Sequence, residues 1–213
     1  FRAAGKRIRA MARAADNLTI EERIKRVSNI FGTFRNPDKE TVLTPWRVVN
    51  MHMGDCLGGY VFFDEIFEKT LETPRYVDHG EVTKDVFNKN SKILEINSKS
   101  GLYPLYMTYG IYKNIIAESS SGEKLLAIEE QLEVWDRVVT ENIFVICKTP
   151  MAKSITKRTL VGFRNAKVNT RYFEDLVNQI IHKQQSFIDK VKQGKNYWKA
   201  TNGEDNMKFN AIV

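Results

Sequence analysis

The chain has 213 residues, 42% hydrophobic and 28% charged, and a formal net charge of +7. That length suits one sizeable domain with an appended element, and the composition is that of a soluble globular protein. No apolar run of about 18 residues occurs, so no membrane-spanning helix is expected, and the basic opening from Phe1 is read as part of a longer protein rather than as a secretory signal.

Residues 2–15 are rich in Ala and Arg and should be helical by propensity. Thr19-Ile20-Glu21-Glu22 has the capping-box pattern, in which Thr19 accepts from the Glu22 amide and Glu22 reaches back. The helix it opens carries Ile20, Ile24, Val27 and Phe31 on one face, and Gly32 with Asn36-Pro37-Asp38 breaks it. Thr44-Pro45 reads as an N-cap followed by proline at the first helical position, with Val48, Val49, Met53 and Cys56 inward and Gly58-Gly59 as the stop. Tyr60–Lys69 reads as helical or partly so, and residues 72–90 as polar and irregular.

The stretch KILEIN, residues 92–97, is a strand of about six residues, followed by a helix over Gly101–Ala117 and a loop at Ser119-Ser120-Ser121-Gly122. Leu125, Ile128, Leu132 and Trp135 mark an amphipathic helix over 123–139. Asn142–Cys147 reads as a second buried strand, and Pro150 opens a helix to about Leu160. A long helix is expected over 171–193, with Phe173, Leu176, Ile180 and Phe187 inward, before a third strand at Phe209–Val213. Strands separated by helices predict a parallel, doubly wound sheet, whose ligands bind beyond the strands' carboxyl ends. Two such ends are Glu95–Gly101 and Cys147–Pro150.

Charge is uneven. Residues 1–35 hold nine Lys/Arg and three acids, so they carry +6 of the total. Arg2, Lys6, Arg7, Arg9 and Arg13 all precede the first acid, a pattern that suits either a polyanion or a solvated helix face. Cys56 and Cys147 match no metal-ligand spacing; as lone cysteines they fit a reducing cytoplasm and pack as small apolar residues. His52 and Cys56 stand one helical turn apart without a second pair, so no metal is expected.

Four segments in order resemble the adenine-N6 DNA methyltransferases of type II restriction–modification systems. They are VLTPWRVVNMHM at 42–53, ILEINSKSG at 93–101, ENIFVICKTPMAKSITKRTL at 141–160 and MKFNAIV at 207–213. The resemblance covers roughly residues 30–213. It implies a Rossmann-like, mostly parallel sheet with a helical N-terminal extension: residues 1–43 as the basic extension and 44–213 as a methyltransferase-like domain binding S-adenosylmethionine. It implies Thr44, Pro45 and Trp46 as a lid over the cofactor, Glu95, Asn97, Ser98 and Gly101 as the methionine-side loop, and Cys147, Lys148 and Thr149 on the ribose and adenine side. The catalytic Asn-Pro-Pro-Tyr is expected after Val213, so no catalytic residue is assigned within the chain and no methyl transfer is expected from it alone. Double-stranded DNA is the implied partner, contacted by Arg2, Lys6, Arg7, Arg9 and Arg13, with an endonuclease or specificity region in the same or another chain and a cytoplasmic location.

Three positions depart from the family pattern. Lys99 stands at the first turn glycine, and a positive φ there would cost about 1 kcal/mol or more. Cys147-Lys148-Thr149 lacks the acid that fixes ribose hydroxyls, and Asn210 replaces the aspartate of the last strand. The alternative is a methylase-like scaffold without cofactor binding that serves DNA binding or subunit assembly. An unrelated phosphate-binding α/β protein lacks the glycine-rich lysine loop it would need.

Overall fold

The structure is a computed structural model that describes residues 2–34, 42–119, 126–183, 186–187 and 208–213. Residues 120–122 of the expected loop and most of the helix expected beyond Lys183 therefore lie outside the described residues. Two helices open the chain, α1 (Arg2–Ala15) and α2 (Ile20–Gly32). The Thr19–Glu22 capping box forms as read, and Ile20, Ile24 and Val27 are buried. Next comes α3 (Trp46–Cys56). Here Pro45 is itself the N-cap and makes no side-chain bond, so Thr44 does not cap this helix as expected. Val49 and Met53 face inward, whereas Cys56 is exposed, contrary to the expectation that it packs as an apolar residue.

The segment after Gly58 departs from the helical reading. Residues 59–63 form β1 (Gly59–Phe63), which pairs antiparallel with β2 (Thr70–Val77), and α4 (Glu81–Val86) follows. A short apolar run such as YVFF fits a buried strand as well as a helix by periodicity alone. Asn50 decides between them: its side-chain oxygen accepts from the Phe62 amide at 2.8 Å, while its amide donates to the Trp46 carbonyl. That fixes β1 against α3.

The main sheet is parallel, formed by β3 (Ile93–Ser98), β4 (Ile143–Cys147), β5 (Asn169–Tyr172) and β6 (Ala211–Ile212), in the order β5-β4-β3-β6. β5 takes the place of the expected helix start at 171. The helix that follows begins later, at Leu176 (α8, Leu176–Lys183), because NTRY pairs along the edge of β4. The other connecting helices are α5 (Leu102–Ser119), α6 (Ile128–Asn142) and α7 (Pro150–Val161).

Alternation along β3 and β4 separates two cores. Ile93, Ile143, Val145 and Cys147 join the large cluster with α3, α5, α6 and α7. Leu94, Phe144 and Ile146 face the other side, where Phe173, Leu176 and Phe209 pack. With both faces covered, β4 can be apolar at every position, IFVIC. α5 is buried along most of its length, and its tyrosines direct their hydroxyls to partners: Tyr106 to the Gly58 carbonyl, Tyr109 to Glu21 and Tyr112 to Gln131.

The N-terminal helices are tied to this body. Ile20 and Ile24 belong to the large core. Arg23, only 2% exposed, donates to Asp16 and to the Arg158 and Thr159 carbonyls at the end of α7. Asp16 in turn accepts the Phe163 amide at 2.7 Å. Arg23 is therefore an internal anchor and is removed from the basic surface counted by sequence. Among the described residues, no helix is long and apolar enough to cross a membrane.

Candidate functional site

The order of strands reverses between β3 and β6, and the turn leaving β3 lies at that reversal. Val213 extends the pairing: its amide donates to the Leu94 carbonyl, and its carbonyl accepts from the Ile96 amide. The β3–β4 register then slips between Ile96 and Ser98, leaving Asn97 as an extra residue. Asn97 takes φ 70° and Gly101 φ 77°. Asparagine tolerates the left-handed region better than most side chains, and glycine enters it without penalty.

Those two residues, not Lys99, take the left-handed conformations, so the strain anticipated at Lys99 does not arise. Its ammonium instead donates to the Val42 carbonyl at 3.2 Å, in the segment leading to Thr44. Gly101 is required for a second reason. A β-carbon there would stand 3.1 Å from Thr156 Cα, so the turn is pressed directly against the α7 backbone. Thr159 Oγ1 donates to the Ser100 carbonyl at 2.6 Å, and Ser98 Oγ lies 3.2 Å from Thr156 Oγ1. Thr156 and Thr159 thus hold the turn from α7. The sequence signals that role only through two hydroxyls placed on adjoining turns of one helix face.

Glu95 is the chemically unusual residue of this turn. Its side chain is 7% exposed, and its Oε2 has no hydrogen-bond partner. Burial pushes the carboxyl up to about 8, against a smaller downward pull from a hydrogen bond with Ser98. A buried acid without a cation stays neutral over much of the physiological range, because ionisation in a poorly solvated place is costly. Tyr103 and Cys147 lie within its electrostatic reach, and burial is the main cause that raises both of their pKa values, Cys147 to about 11. Tyr103 is joined to α3 by its hydroxyl, 3.1 Å from His52 Nδ1. No local sequence signal marks His52 or Tyr103 as a neighbour of this turn, since only packing of α3 on α5 brings them there.

The second strand end is built differently. Cys147 is buried with its thiol against Thr156, Lys148 is exposed, and Thr149 caps α7 by accepting the Ala152 amide at 3.0 Å. The Lys148 amide donates to the Ser98 carbonyl, so the two turns are joined through backbone. The third set lies apart. Trp46 is packed edge-on against Phe62 and Tyr106, and Thr44, Pro45 and Trp46 line a cleft of about 700 Å³ with Lys25, Phe31 and Phe63. No residue of the 95–101 turn lines that cleft.

Asn210, which replaces an expected aspartate, has a structural reason. Its side-chain oxygen accepts from the Lys92 amide and its nitrogen donates to Asp85, joining the starts of β3 and β6. A carboxylate at that position could not donate to Asp85.

Glu95, with one buried oxygen unpartnered, fits a ligand that brings a cationic or hydrogen-bond-donating group to the end of β3, while Gly101 serves the packing of the turn on α7. The amino-acid portion of S-adenosylmethionine has such a group. Lys6, Arg7, Arg9 and Arg13 are exposed along α1, while for Arg2 only the backbone, the first residue of the helix, is described. The family model described as Eco57I restriction-modification methylase matches residues 141–213, which run from the end of α6 through α7 to β6. No curated protein and no solved structure gives a match. The resemblance read from sequence is thereby borne out at the level of the restriction–modification methylases, to which the stretch 141–213 is similar.

Proposed function

We propose that this chain is the cofactor-binding part of a restriction–modification DNA adenine methyltransferase. In this reading residues 44–213 form a doubly wound S-adenosylmethionine domain, and residues 1–43 a basic extension directed at DNA. The order β5-β4-β3-β6 supports it, because it places a turn rich in small residues at the topological switch of an open parallel sheet. The observation that carries the reading is the buried, unpartnered Glu95 oxygen beside a turn with two left-handed residues.

When bound, the cofactor supplies the methyl group for transfer to the adenine amino nitrogen. Glu95 and the backbone of Asn97–Gly101 would hold its amino-acid portion, and Cys147–Thr149 would border its nucleoside. A catalytic Asn-Pro-Pro-Tyr after Val213 would enter beside the same turn, since β6 runs parallel to β3 as its neighbour. Calorimetric titration with S-adenosylmethionine tests this: heat is expected from the unaltered chain and none from Glu95→Ala. Silence at millimolar cofactor, repeated with Lys99→Gly, would overturn it.

A second reading is favoured by one observation at β4. The strand ends in a buried, protonated Cys147 and no carboxylate, so the ribose hydroxyls lack their expected acceptor. A scaffold that retains DNA binding or subunit assembly without cofactor would give no heat, yet bind duplex DNA in a salt-dependent way.

A further inference from the structure

Acids and bases are segregated along the C-terminal half of this chain. Between Glu141 and Glu174 there is no acidic residue, while seven Lys and Arg occur. The preceding helix α6 carries Glu129, Glu130, Glu133, Asp136 and Glu141, so the separation is by element. Arg164 is neutralised by Asp136 at 2.6 Å. Lys148, Lys153, Lys157 and Arg158 are exposed, and none of them forms an ion pair with the described residues. Lys153 and Lys157 are spaced one helical turn apart on α7, about 6 Å from one another on a single face.

Tertiary structure joins this row to α1. The Phe163 ring has the Arg13 guanidinium at 4.9 Å and the Arg158 guanidinium at 4.4 Å from its centroid. Phe163 is itself fixed by its backbone amide to Asp16, and Asp16 holds Arg23, which caps the last carbonyls of α7. Two cations brought to one ring repel each other, and the aromatic face offsets part of that cost. Asp16, the acid that joins these helices, is occupied by Arg23 and the Phe163 amide. Helix α1 has no acid either. Two helices linked through Phe163 and Asp16 therefore carry the exposed Lys6, Arg7, Arg9, Arg13, Lys153, Lys157 and Arg158 with no carboxylate on either helix.

We propose that α1 and α7 form one surface for a nucleic-acid phosphate backbone, with Phe163 as the joint between them. The choice of DNA over another polyanion rests on the methylase reading; the existence of the surface rests on charge and exposure. Phosphate contacts read no bases. They hold the duplex in position and release condensed counterions, so affinity falls steeply with salt. The α7 row ends at Lys153, one turn from the Thr149 cap at the carboxyl end of β4, so the surface leads toward the candidate cofactor turn.

The test is fluorescence anisotropy of a labelled DNA duplex from roughly 50 to 200 mM salt. The unaltered chain should bind, with log affinity falling linearly in log salt. Lys153→Gln with Lys157→Gln should lower the magnitude of that slope by about 1.8, or roughly 0.9 for each phosphate no longer neutralised. Neutralising Lys6, Arg7 and Arg9 should lower it separately, and all five changes together should lower it further. These side chains are exposed, so unchanged thermal unfolding is the control for folding. An α7 variant with an unaltered slope would overturn the proposal, as would absence of duplex binding at the lowest salt. Equal competition by polyglutamate would also overturn it, in favour of an acidic protein partner. Cofactor calorimetry on the same samples keeps the readings separate: a silent titration with the slope change intact sinks the cofactor site alone.

Discussion

The two strand-to-helix turns at the carboxyl edge of the sheet are adjacent and bonded to one another, yet they are built on opposite principles. The β4–α7 turn satisfies itself: Thr149 caps the helix, Pro150 opens it, and Cys147 is a small buried apolar group. The β3–α5 turn leaves costs in place. It carries a register slip, a left-handed asparagine, a glycine pressed on the α7 backbone and a buried carboxyl with an unpartnered oxygen. Such costs persist where surrounding structure enforces them, and they cluster at functional sites. The contrast is what the proposed cofactor reading rests on at β3–α5, whereas the β4–α7 turn satisfies its own polar groups.

Breaking the first turn should have the largest effect. Gly101→Val combines a β-branched side chain at φ 77° with overpacking against Thr156, and should destabilise by about 3–5 kcal/mol in urea unfolding. The next effect is a pH dependence from Glu95. Its carboxyl ionises near 8 when folded and at the ordinary carboxylate value when unfolded. The folded state therefore holds the extra proton in the window from about 4.5 to 8. Stability should be fullest at the acid end of that window and fall as pH rises through it, by on the order of 4 kcal/mol. Glu95→Gln should remove that component of the fall; an unchanged profile would refute a neutral buried Glu95. A bound ammonium would stabilise the carboxylate, so cofactor affinity should rise over the same window.

Smaller effects sharpen the comparison. Thr149→Ala removes an ordinary N-cap and should cost about 1 kcal/mol in urea unfolding. Lys99→Gly should not stabilise the protein. Because Lys99 is not left-handed and binds the Val42 carbonyl, the change should cost roughly 0.5–1 kcal/mol through added chain entropy. A gain in stability instead would mean that the lysine is strained after all.

Much of the fold is legible in residue patterns. The capping box at Thr19, the strands at 93–98 and 143–147, and the proline-opened α7 follow from local rules that the rest of the chain does not contradict. The errors fall where local signals are ambiguous. YVFF is too short for its period to separate helix from strand, and β2 with Pro74 looks irregular until β1 pairs with it as the other strand of a two-stranded ribbon. NTRY carries no apolar alternation, and only the edge of β4 makes it a strand. That Glu95 Oε2 is left without a partner is not legible at all, since it depends on which groups from α5, α7 and β4 reach the end of β3.

By itself the sequence determined the element types with strong periodicity or caps, the positions of the acid and the turn glycine, and the basic excess at the N-terminus. Those are properties of residues and their near neighbours. Tertiary structure decided which positive charges stay outside, burying Arg23 as an anchor while leaving Lys153 and Lys157 on the surface. It also decided which turn residues go left-handed and whether an acid at a strand end finds a partner. Each of these outcomes depends on desolvation and on groups brought together from distant parts of the chain, which no local pattern encodes.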